Sequence, residues 1–561
     1  MQSGGPITAS TSAEKADFEE KRQSPDFDDV PVCDGHGTEA SPYIVRWEAG
    51  ERANPQNWSL TKKWVITATM ATATLAIAFG SSVVSPALGE LVRYFDKSVT
   101  VVTLTISLYV LGFALGPLLW APFSEQWGRR PVFIATYGLF AIFNIPSAVA
   151  KNIETVLICR FLAGFFGSAP LTNSGGVIGD MFSASERAVA MSLFSAAPMS
   201  GPIIGPIVGS FMIENCSWRW LFVAPILFAF VMFVLGSLVP ETYAPVLLRR
   251  RAAEYSARTG MVYRSMFDLH SSFAAPLTTK LKIALVRPFL LLFKEPICLL
   301  FALYADCFFG AFPLVYEYAR GWSPGISGLA FLPIGLGTML AIGATIFDNK
   351  RYIRKLAAAG GVPLPPEERL PLCCIAGVLL PLGLFGFAWS SLPRVHWIVS
   401  MIFSVPFGFS MVAMFLSMMT YLVDSYLMFA ASALASNAVL RSLLGFAFPL
   451  FTRQMFTKLG NQWALTLLAF IALAMTPIPF LFYRYGPAIR AKSTYAHQYK
   501  VPPPAQSETA VSPTVTRTHS LEEGMMAPDL AKDRRDDNAS GEGRESSQKD
   551  DHSPEGGSGR D

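Results

Sequence analysis

The sequence predicts an all-α membrane protein, with twelve transmembrane helices in two pseudo-symmetric six-helix bundles. Three observations lead there. Only 15% of the residues are charged, 52% are hydrophobic and mean hydropathy is +0.38, whereas soluble chains carry about 25% charged residues. Apolar runs of about 20 residues, the length that spans a bilayer core, recur along the chain. A polar stretch beginning at Glu241 divides those runs into six and six.

Taken in order, residues 1–55 are rich in Ser, Asp, Glu, Gly and Pro and read as a disordered cytoplasmic tail. Residues 56–240 form the first bundle, opened by the interfacial anchor Lys62-Lys63-Trp64. Its apolar runs lie near 64–88, 101–123, 132–150, 154–178, 187–212 and 218–239. Residues 241–290 are a cytoplasmic linker, and the alternation of bases and apolar residues over 276–294 suggests an interfacial helix. Residues 291–488 form the second bundle, with runs near 296–318, 326–347, 371–390, 396–420, 426–452 and 463–484. Residues 489–561 are a second disordered cytoplasmic tail. No cleavable signal peptide is expected, so the first hydrophobic helix acts as the targeting signal.

Charge orients the chain. Arg129-Arg130, Arg187, Arg249 to Arg251, Lys350-Arg351 and Arg354-Lys355 fall on one side, which the positive-inside rule makes cytoplasmic, with both termini. A net charge of +4 gives no reason to expect a nucleic-acid partner. The 7 cysteines form no CxxC pair, so neither a disulfide framework nor a metal site is expected, and no cofactor. No His, Asp or Ser constellation faces either interface, which argues against an enzyme.

Ionisable groups inside a bilayer are costly and are functional candidates. Arg160 lies in the fourth span, Asp306 near the middle of the seventh and Arg441 near the middle of the eleventh. Arg160 reads either as a cation tied to backbone carbonyls or as a cavity arginine that binds anions or retunes a nearby acid. Asp306 reads as a protonated interhelical donor or, because desolvation raises a carboxyl pKa, as a proton carrier. Asn437 lies one turn before Arg441 on the same face, as a substrate contact or an interhelical clamp; Asn173 is a similar polar spot in the fourth span. Two acid-then-base sequences, Glu125 with Arg129-Arg130 and Asp348 with Lys350-Arg351, hint at an internal repeat.

Gly201-Pro-Ile-Ile-Gly-Pro-Ile-Val-Gly209 places Gly201, Gly205 and Gly209 in one bare stripe, beside Pro198, Pro202 and Pro206. Prolines so dense break a helix in water but are tolerated in a membrane bundle. The stripe reads as a small-residue packing face. The expected partner is a helix of the opposite half, sealing the outer end of a cavity around which the prolines bend the chain.

Gly116-Pro-Leu-Leu-Trp-Ala-Pro-Phe-Ser-Glu-Gln-Trp-Gly-Arg-Arg-Pro131 ends a helix in an acid, turns at Gly128 and continues into two arginines. It resembles the loop signature between the second and third helices of the major facilitator superfamily, with Ala121 at the first glycine and Gln126 at a usual basic position. Arg160-Phe-Leu-Ala-Gly-Phe-Phe-Gly167, the stripe from Gly201 to Gly209, and Pro240-Glu-Thr-Tyr-Ala-Pro-Val-Leu-Leu-Arg-Arg250 resemble motifs of its fungal drug:proton antiporter branch with twelve spans. The resemblance covers residues 54 to 490, except that the seventh helix is short before Ala311-Phe312-Pro313 and leaves Asp306 to stand in for a family glutamate.

That resemblance implies a major facilitator fold and a proton-coupled exporter of amphipathic drugs or secondary metabolites, β-lactam antibiotics among them. Organic acids or polyamines are alternative cargoes, and a non-transporting nutrient sensor is an alternative function. It also implies a gating role for Glu125, Gly128, Arg129 and Arg130, and an antiporter motif at Gly201, Pro202, Gly205, Pro206 and Gly209. The expected partners are a small-molecule substrate, protons and the lipid bilayer, with the protein monomeric. The expected location is the plasma membrane, or alternatively a vacuolar or other organelle membrane.

Overall fold

The structure, a computed structural model, describes residues 37–39, 41–48, 50–269, 314–360, 364–426 and 430–492, with the single residues 278, 285, 286 and 312. The expected interfacial helix over 276–294 lies outside the described residues apart from three of these single positions, and so does most of the seventh span.

Among the described residues the protein is built of α-helices, with one two-stranded sheet. The first half contains α1 (Leu60–Ser82), α2 (Leu88–Phe95), α3 (Val99–Trp127), α4 (Arg129–Val149), α5 (Ile153–Gly167), α6 (Ala169–Met181), α7 (Ala184–Asn215) and α8 (Trp220–Ser237). Helix α9 (Ala244–Thr259) follows in the linker. The second half contains α10 (Pro324–Leu329), α11 (Leu332–Ala358), α12 (Pro371–Ser390), α13 (Trp397–Tyr426), α14 (Ala430–Met475) and α15 (Pro477–Lys492). Gly460, at φ 75°, breaks α14 into two helices.

Ten helical stretches among the described residues are long and apolar enough to cross a bilayer, and Asn437–Thr452 is a shorter apolar one. Their apolar residues are not confined to one face. Ile158, Phe230 and Phe347 are at least 61% exposed, as expected of helices whose outer surfaces meet lipid. Ser59 and Ser98 begin α1 and α3 by accepting hydrogen bonds from the backbone N–H groups of Lys62 and Val101. α5 and α6 form one span interrupted at Ser168, where Pro170 removes a backbone donor.

One apolar core lies inside the first half around Ile77, Tyr109, Tyr137 and Phe140, and another around Val83, Leu91, Trp218 and Phe222. The second-half core, around Phe331, Phe387, Phe407 and Tyr421, also takes in Ile203 from α7. Helix α7 therefore belongs to one half and packs into the other.

The stripe on α7 corrects one expectation. A Cβ at Gly201, Gly205 or Gly209 would come closer than 3.0 Å to Ala78, Ser82 and Val83 respectively. All three belong to α1 or the residue after it, so the bare face packs within its own half and not against the opposite one. The opposite half meets a neighbouring face of α7 and brings its own glycines. Gly328 lies against Pro206 and Ser210, Gly335 against Ile203, and the Gly325 N–H donates to Glu214 Oε2 at 2.9 Å.

The tail and linker also depart from expectation. Within residues 1–55, Tyr43–Val45 forms β1, which pairs in parallel with β2 (Tyr263–Ser265) of the linker. This part of the tail is folded because Tyr43 and Val45 enter an apolar cluster with Leu248, Ala252, Tyr255 and Tyr263. The linker opens with a regular helix, α9, whose residues Leu248, Ala252 and Tyr255 share one face at helical spacing.

Candidate functional site: a two-sided cavity and its closed end

A cavity of about 720 Å³ lies between the halves. The first half contributes Ser81 and Ser82 at the end of α1, Ser85 after it, Glu90 and Arg93 from α2, Phe113 from α3, and Pro198, Pro202 and Pro206 from α7. The second half contributes Glu317, Phe331, Met411, Phe415 and Arg441. The lining runs from mid-span residues such as Phe113, Leu171 and Arg441 to the span ends near Arg93, Val99 and Pro324. No described lining residue comes from the opposite ends, which carry Arg129, Asp180 and Glu241.

The three α7 prolines follow one face, as residues four apart must, and that face borders the cavity. Soft and aromatic groups, Met199, Met411, Phe113, Phe331 and Phe415, make up much of the wall. The Arg441 guanidinium sits 4.9 Å from the Phe415 ring centroid, so a permanent cation borders an otherwise adaptable surface. Glu317 lies half-buried on the π-helical turn Leu314–Ala319. Such turns re-aim side chains and recur at functional positions.

Of the sequence-derived candidates, Arg441, Pro202 and Pro206 border this cavity. Arg160, Asn173 and Asn437 are not among its lining residues, and Asp306 lies outside the described residues. Of the pair Asn437 and Arg441, read as a substrate contact or an interhelical clamp, only Arg441 borders the cavity; Asn437 is 1% exposed and its Nδ2 has no hydrogen-bond partner among the described atoms. Asn173 is equally enclosed, with both amide atoms unpartnered among those atoms.

Arg160 is fully buried and ties three helices together. Its Nε donates to Thr105 O at 3.0 Å and Nη2 to Gly80 O at 2.8 Å, and its guanidinium lies 4.3 Å from the Tyr109 ring centroid. The glycines of its motif have steric reasons. A Cβ at Gly164 would run into the backbone of Tyr109, and one at Gly167 would crowd Phe140. Of the two readings of Arg160, these bonds match the cation tied to backbone carbonyls; Nη1 has no partner among the described atoms.

At the end of the molecule opposite the cavity mouth, a charged cluster ties first-half elements to one another. Arg129 Nε meets Asp180 Oδ2 at 3.4 Å and Nη1 donates to Ser124 Oγ at 2.7 Å. The Glu241 carboxylate, 7% exposed, accepts the N–H groups of Arg129 at 2.9 Å and Arg130 at 3.1 Å, the start of α4. A carboxylate at a helix N-terminus is stabilising because it meets unpaired N–H groups and the positive end of the helix dipole. Glu241 also accepts from the N–H groups of Thr242 and Tyr243, at 3.1 and 3.0 Å, which folds the chain sharply after α8. The Tyr243 ring then lies 4.7 Å below the Arg129 guanidinium. Gly128 has two constraints, a φ of 106° and a Glu241 carboxylate that would overlap any Cβ.

Glu125, the acid expected to anchor this loop, is exposed, and the acids that meet Arg129 and Arg130 are Asp180 and Glu241. Sequence reasoning missed both. Glu241 stands within the motif Pro240-Glu-Thr-Tyr243, but nothing in its spacing ties it to a loop 111 residues earlier.

The second half repeats the arrangement. Arg369, just before α12, pairs with Asp424 near the end of α13 at 3.0 Å, as Arg129 at the start of α4 pairs with Asp180 near the end of α6. The expected repeat at Asp348 and Arg351 is a local ion pair of 3.1 Å within α11, and the counterpart of Arg129 by partner is Arg369. Here the final span supplies a base, not an acid. Arg490 binds Glu367 through two parallel bonds of 2.8 Å, with both side chains no more than 7% exposed.

Residues 70–449 match the profile of the Major Facilitator Superfamily. The chain belongs to that family. The transporter is 50% identical over 470 residues, 82% of its own length and 79% of the other, to the MFS-type efflux pump MFS2 of Trichophyton rubrum. It is 46% identical over 516 residues to the major facilitator superfamily multidrug transporter mdrA of Aspergillus fumigatus, covering 89% of this chain and 84% of that one. Among solved structures, the fold resembles the partially occluded inward-open xylose transporter XylE from E. coli, with TM-score 0.55 and 15% identity, covering 79% of this chain and 100% of that one. It also resembles the human organic anion transporter MFSD10, with TM-score 0.52 and 18% identity, covering 75% and 99%. The protein is thus a multi-pass membrane transporter of small molecules and not an enzyme.

Proposed function

We propose that the transporter is an efflux pump that works by alternating access, moving amphipathic drugs or secondary metabolites outward in exchange for protons. The observation that carries this reading is the cavity, which draws its lining from both halves and reaches one side only, while the side that carries Arg129, Asp180 and Glu241 contributes no described lining residue. With the arginine-rich side taken as cytoplasmic, both termini lie inside and this is the outward-facing member of the cycle. The similarity to fungal efflux pumps and a multidrug transporter supports export as the direction. A wall of Met, Phe and Pro suits variable apolar bodies, and Arg93 and Arg441 with Glu90 and Glu317 supply ionisable groups of both signs. The plasma membrane is the proposed location, with a monomer as the working unit.

Export against a gradient needs an acid whose proton affinity differs between the two states. Among the described residues Glu317 fits this role, as a half-buried carboxyl that the second half brings to the cavity wall; the expected carrier, Asp306, lies outside them. The test is purified transporter in vesicles, loaded with a panel of β-lactams, azoles, polyamines and organic acids under an imposed pH gradient. Uphill movement of at least one compound that stops when the gradient is collapsed is expected. In the Glu317→Gln variant, uphill transport should be lost while downhill exchange of the same compound persists. Uphill export indifferent to the pH gradient would refute proton exchange.

A further inference from the structure

We propose that the chain between Tyr43 and Trp58 is a strap that positions the closed end of the transporter, acting through helix α9 on Glu241 and Tyr243. The proposal rests on the reading of the Arg129 cluster as the closure of one side of the pathway.

The strap is attached at four places. At its start, the Tyr43 N–H donates to Val262 O at 2.9 Å and the Val262 N–H to Gly37 O at 2.9 Å. Next, β1 and β2 pair with Tyr43 opposite Tyr263, Ile44 opposite Arg264 and Val45 opposite Ser265. An isolated two-stranded sheet is marginal in water. This one is supported by Tyr263, whose ring lies tilted against Tyr43 and edge-on to Tyr255 at centroid distances of 5.1 and 5.6 Å, and by Val45, 1% exposed. Further along, the Glu51 carboxylate accepts a hydrogen bond from Arg251 Nη1, while Arg251 Nε donates to the Tyr255 hydroxyl at 2.8 Å. Last, Asn57 Nδ2 donates to Glu51 O at 2.9 Å and Lys63 Nζ to Gln56 O at 2.7 Å, which joins the strap to the start of α1.

The first three attachments fall on α9 and the chain after it, the last on α1. Helix α9 begins immediately after Tyr243, whose ring supports Arg129, and only two residues separate Glu241 from that helix. Without the strap, the face of α9 formed by Leu248, Ala252 and Tyr255 loses Tyr43 and Val45 as its cover, and Arg251 loses its acid. That face keeps Tyr263, Met261, Met266 and Phe267, but a short helix that loses part of its apolar cover is weakened in water. If α9 loosens, the fold at Thr242 and Tyr243 that aims the Glu241 carboxylate at the start of α4 loosens with it. Asp268, paired with Arg249 at 2.6 Å, holds the other end of the linker segment and leaves the strap as the support on this side.

Its effect is on the balance between states: α9 touches α3, the first-half helix that packs on α14 of the second half, so an intact strap favours the form in which the Arg129 side is closed.

The test uses full-length transporter in vesicles, with Cys33→Ser and Cys216→Ser as background. Leu171→Cys, at the inner limit of the cavity, reports the described state through its rate of reaction with a membrane-impermeant thiol reagent added on the cavity-mouth side. Glu51→Arg places two like charges where an ion pair stood. We expect it to slow labelling and export by about fivefold, equivalent to about 1 kcal/mol. Glu51→Arg with Arg251→Glu should restore both rates. A disulfide between Ile44→Cys and Arg264→Cys, which occupy paired positions, should form on oxidation and protect the Glu51→Arg protein from the loss. Should Glu51→Arg alone be unstable, that oxidised form still carries the test. Unchanged labelling in Glu51→Arg, failure of the charge exchange to restore it, or absence of the disulfide would each overturn the proposal. Arg129→Ala separates the two levels: if it leaves labelling at position 171 unchanged, the reading of that cluster as the closure is what fails.

Discussion

Replacing Gly205 by alanine puts a methyl group where α1 and α7 are already in contact. The nearest atom is Ser82 Oγ, followed by the Val83 N at 3.0 Å and Phe79 O at 3.2 Å. Ser82 is held loosely, its hydroxyl donating at 3.4 Å to Phe79 O and 3.3 Å to Gly201 O. An extra methyl in a packed interface costs about 1–3 kcal/mol, most of it here from the one hydroxyl in the way. The companion change Ser82→Ala removes that atom and leaves two backbone atoms at distances a small shift accommodates. Gly205→Ala should therefore lower the melting midpoint of detergent-solubilised transporter and its initial export rate. Ser82→Ala alone should do little, and the double variant should recover most of both, with a coupling of about 1–2 kcal/mol. Effects of the two changes that simply add would refute the packing of the stripe on α1. The same outcome is what a stripe facing the opposite half would produce, since Ser82 would then be irrelevant to it.

Two other expectations follow from charged groups at the closed end. Arg490→Met leaves the Glu367 carboxylate buried without its two bonds and should cost about 3–5 kcal/mol, read as a large fall in melting midpoint, while Arg490→Met with Glu367→Leu should recover much of it. Burial pushes the Tyr243 hydroxyl up to about 12, the charge of Glu125 adding to this. A raised folded-state pKa gives stability that is fully present below the ordinary tyrosine value of about 10 and lost as pH rises through about 12. The melting midpoint should thus hold up to about pH 10 and then fall, with a smaller fall in Tyr243→Phe.

The spans were legible because bilayer thickness sets their length, and apolar length is a local property of sequence. Burial of Arg160 and the cavity face of Pro202 and Pro206 were legible for related reasons, since a lone charge in an apolar run has nowhere else to go and residues four apart share a face. What could not be read was pairing at a distance. Asp180 and Glu241 meet Arg129 across 51 and 112 residues, whereas Glu125, one helical turn before it in sequence, is exposed. The stripe from Gly201 to Gly209 announced a close neighbour but not which one, because bare glycine carries no information about its partner. Tyr43–Val45 is too short and too polar in its surroundings to stand out as a strand, and its fold depends on apolar partners in the linker about 200 residues later.

The junction of α7 with α10 and α11 has a geometric consequence. Contacts at Ile203 with Gly335, at Pro206 and Ser210 with Gly328, and at Glu214 with Gly325 occupy a line along α7. Eleven residues of helix make that line about 16 Å long. Glycines on one side of it let the two backbones turn against each other with little resistance, while the Glu214 bond to the first turn of α10 opposes slippage along it. The junction therefore has the form of an axle: a rotation of the halves about it would disturb its contacts less than a slide along it, and would carry the span ends far from this line furthest.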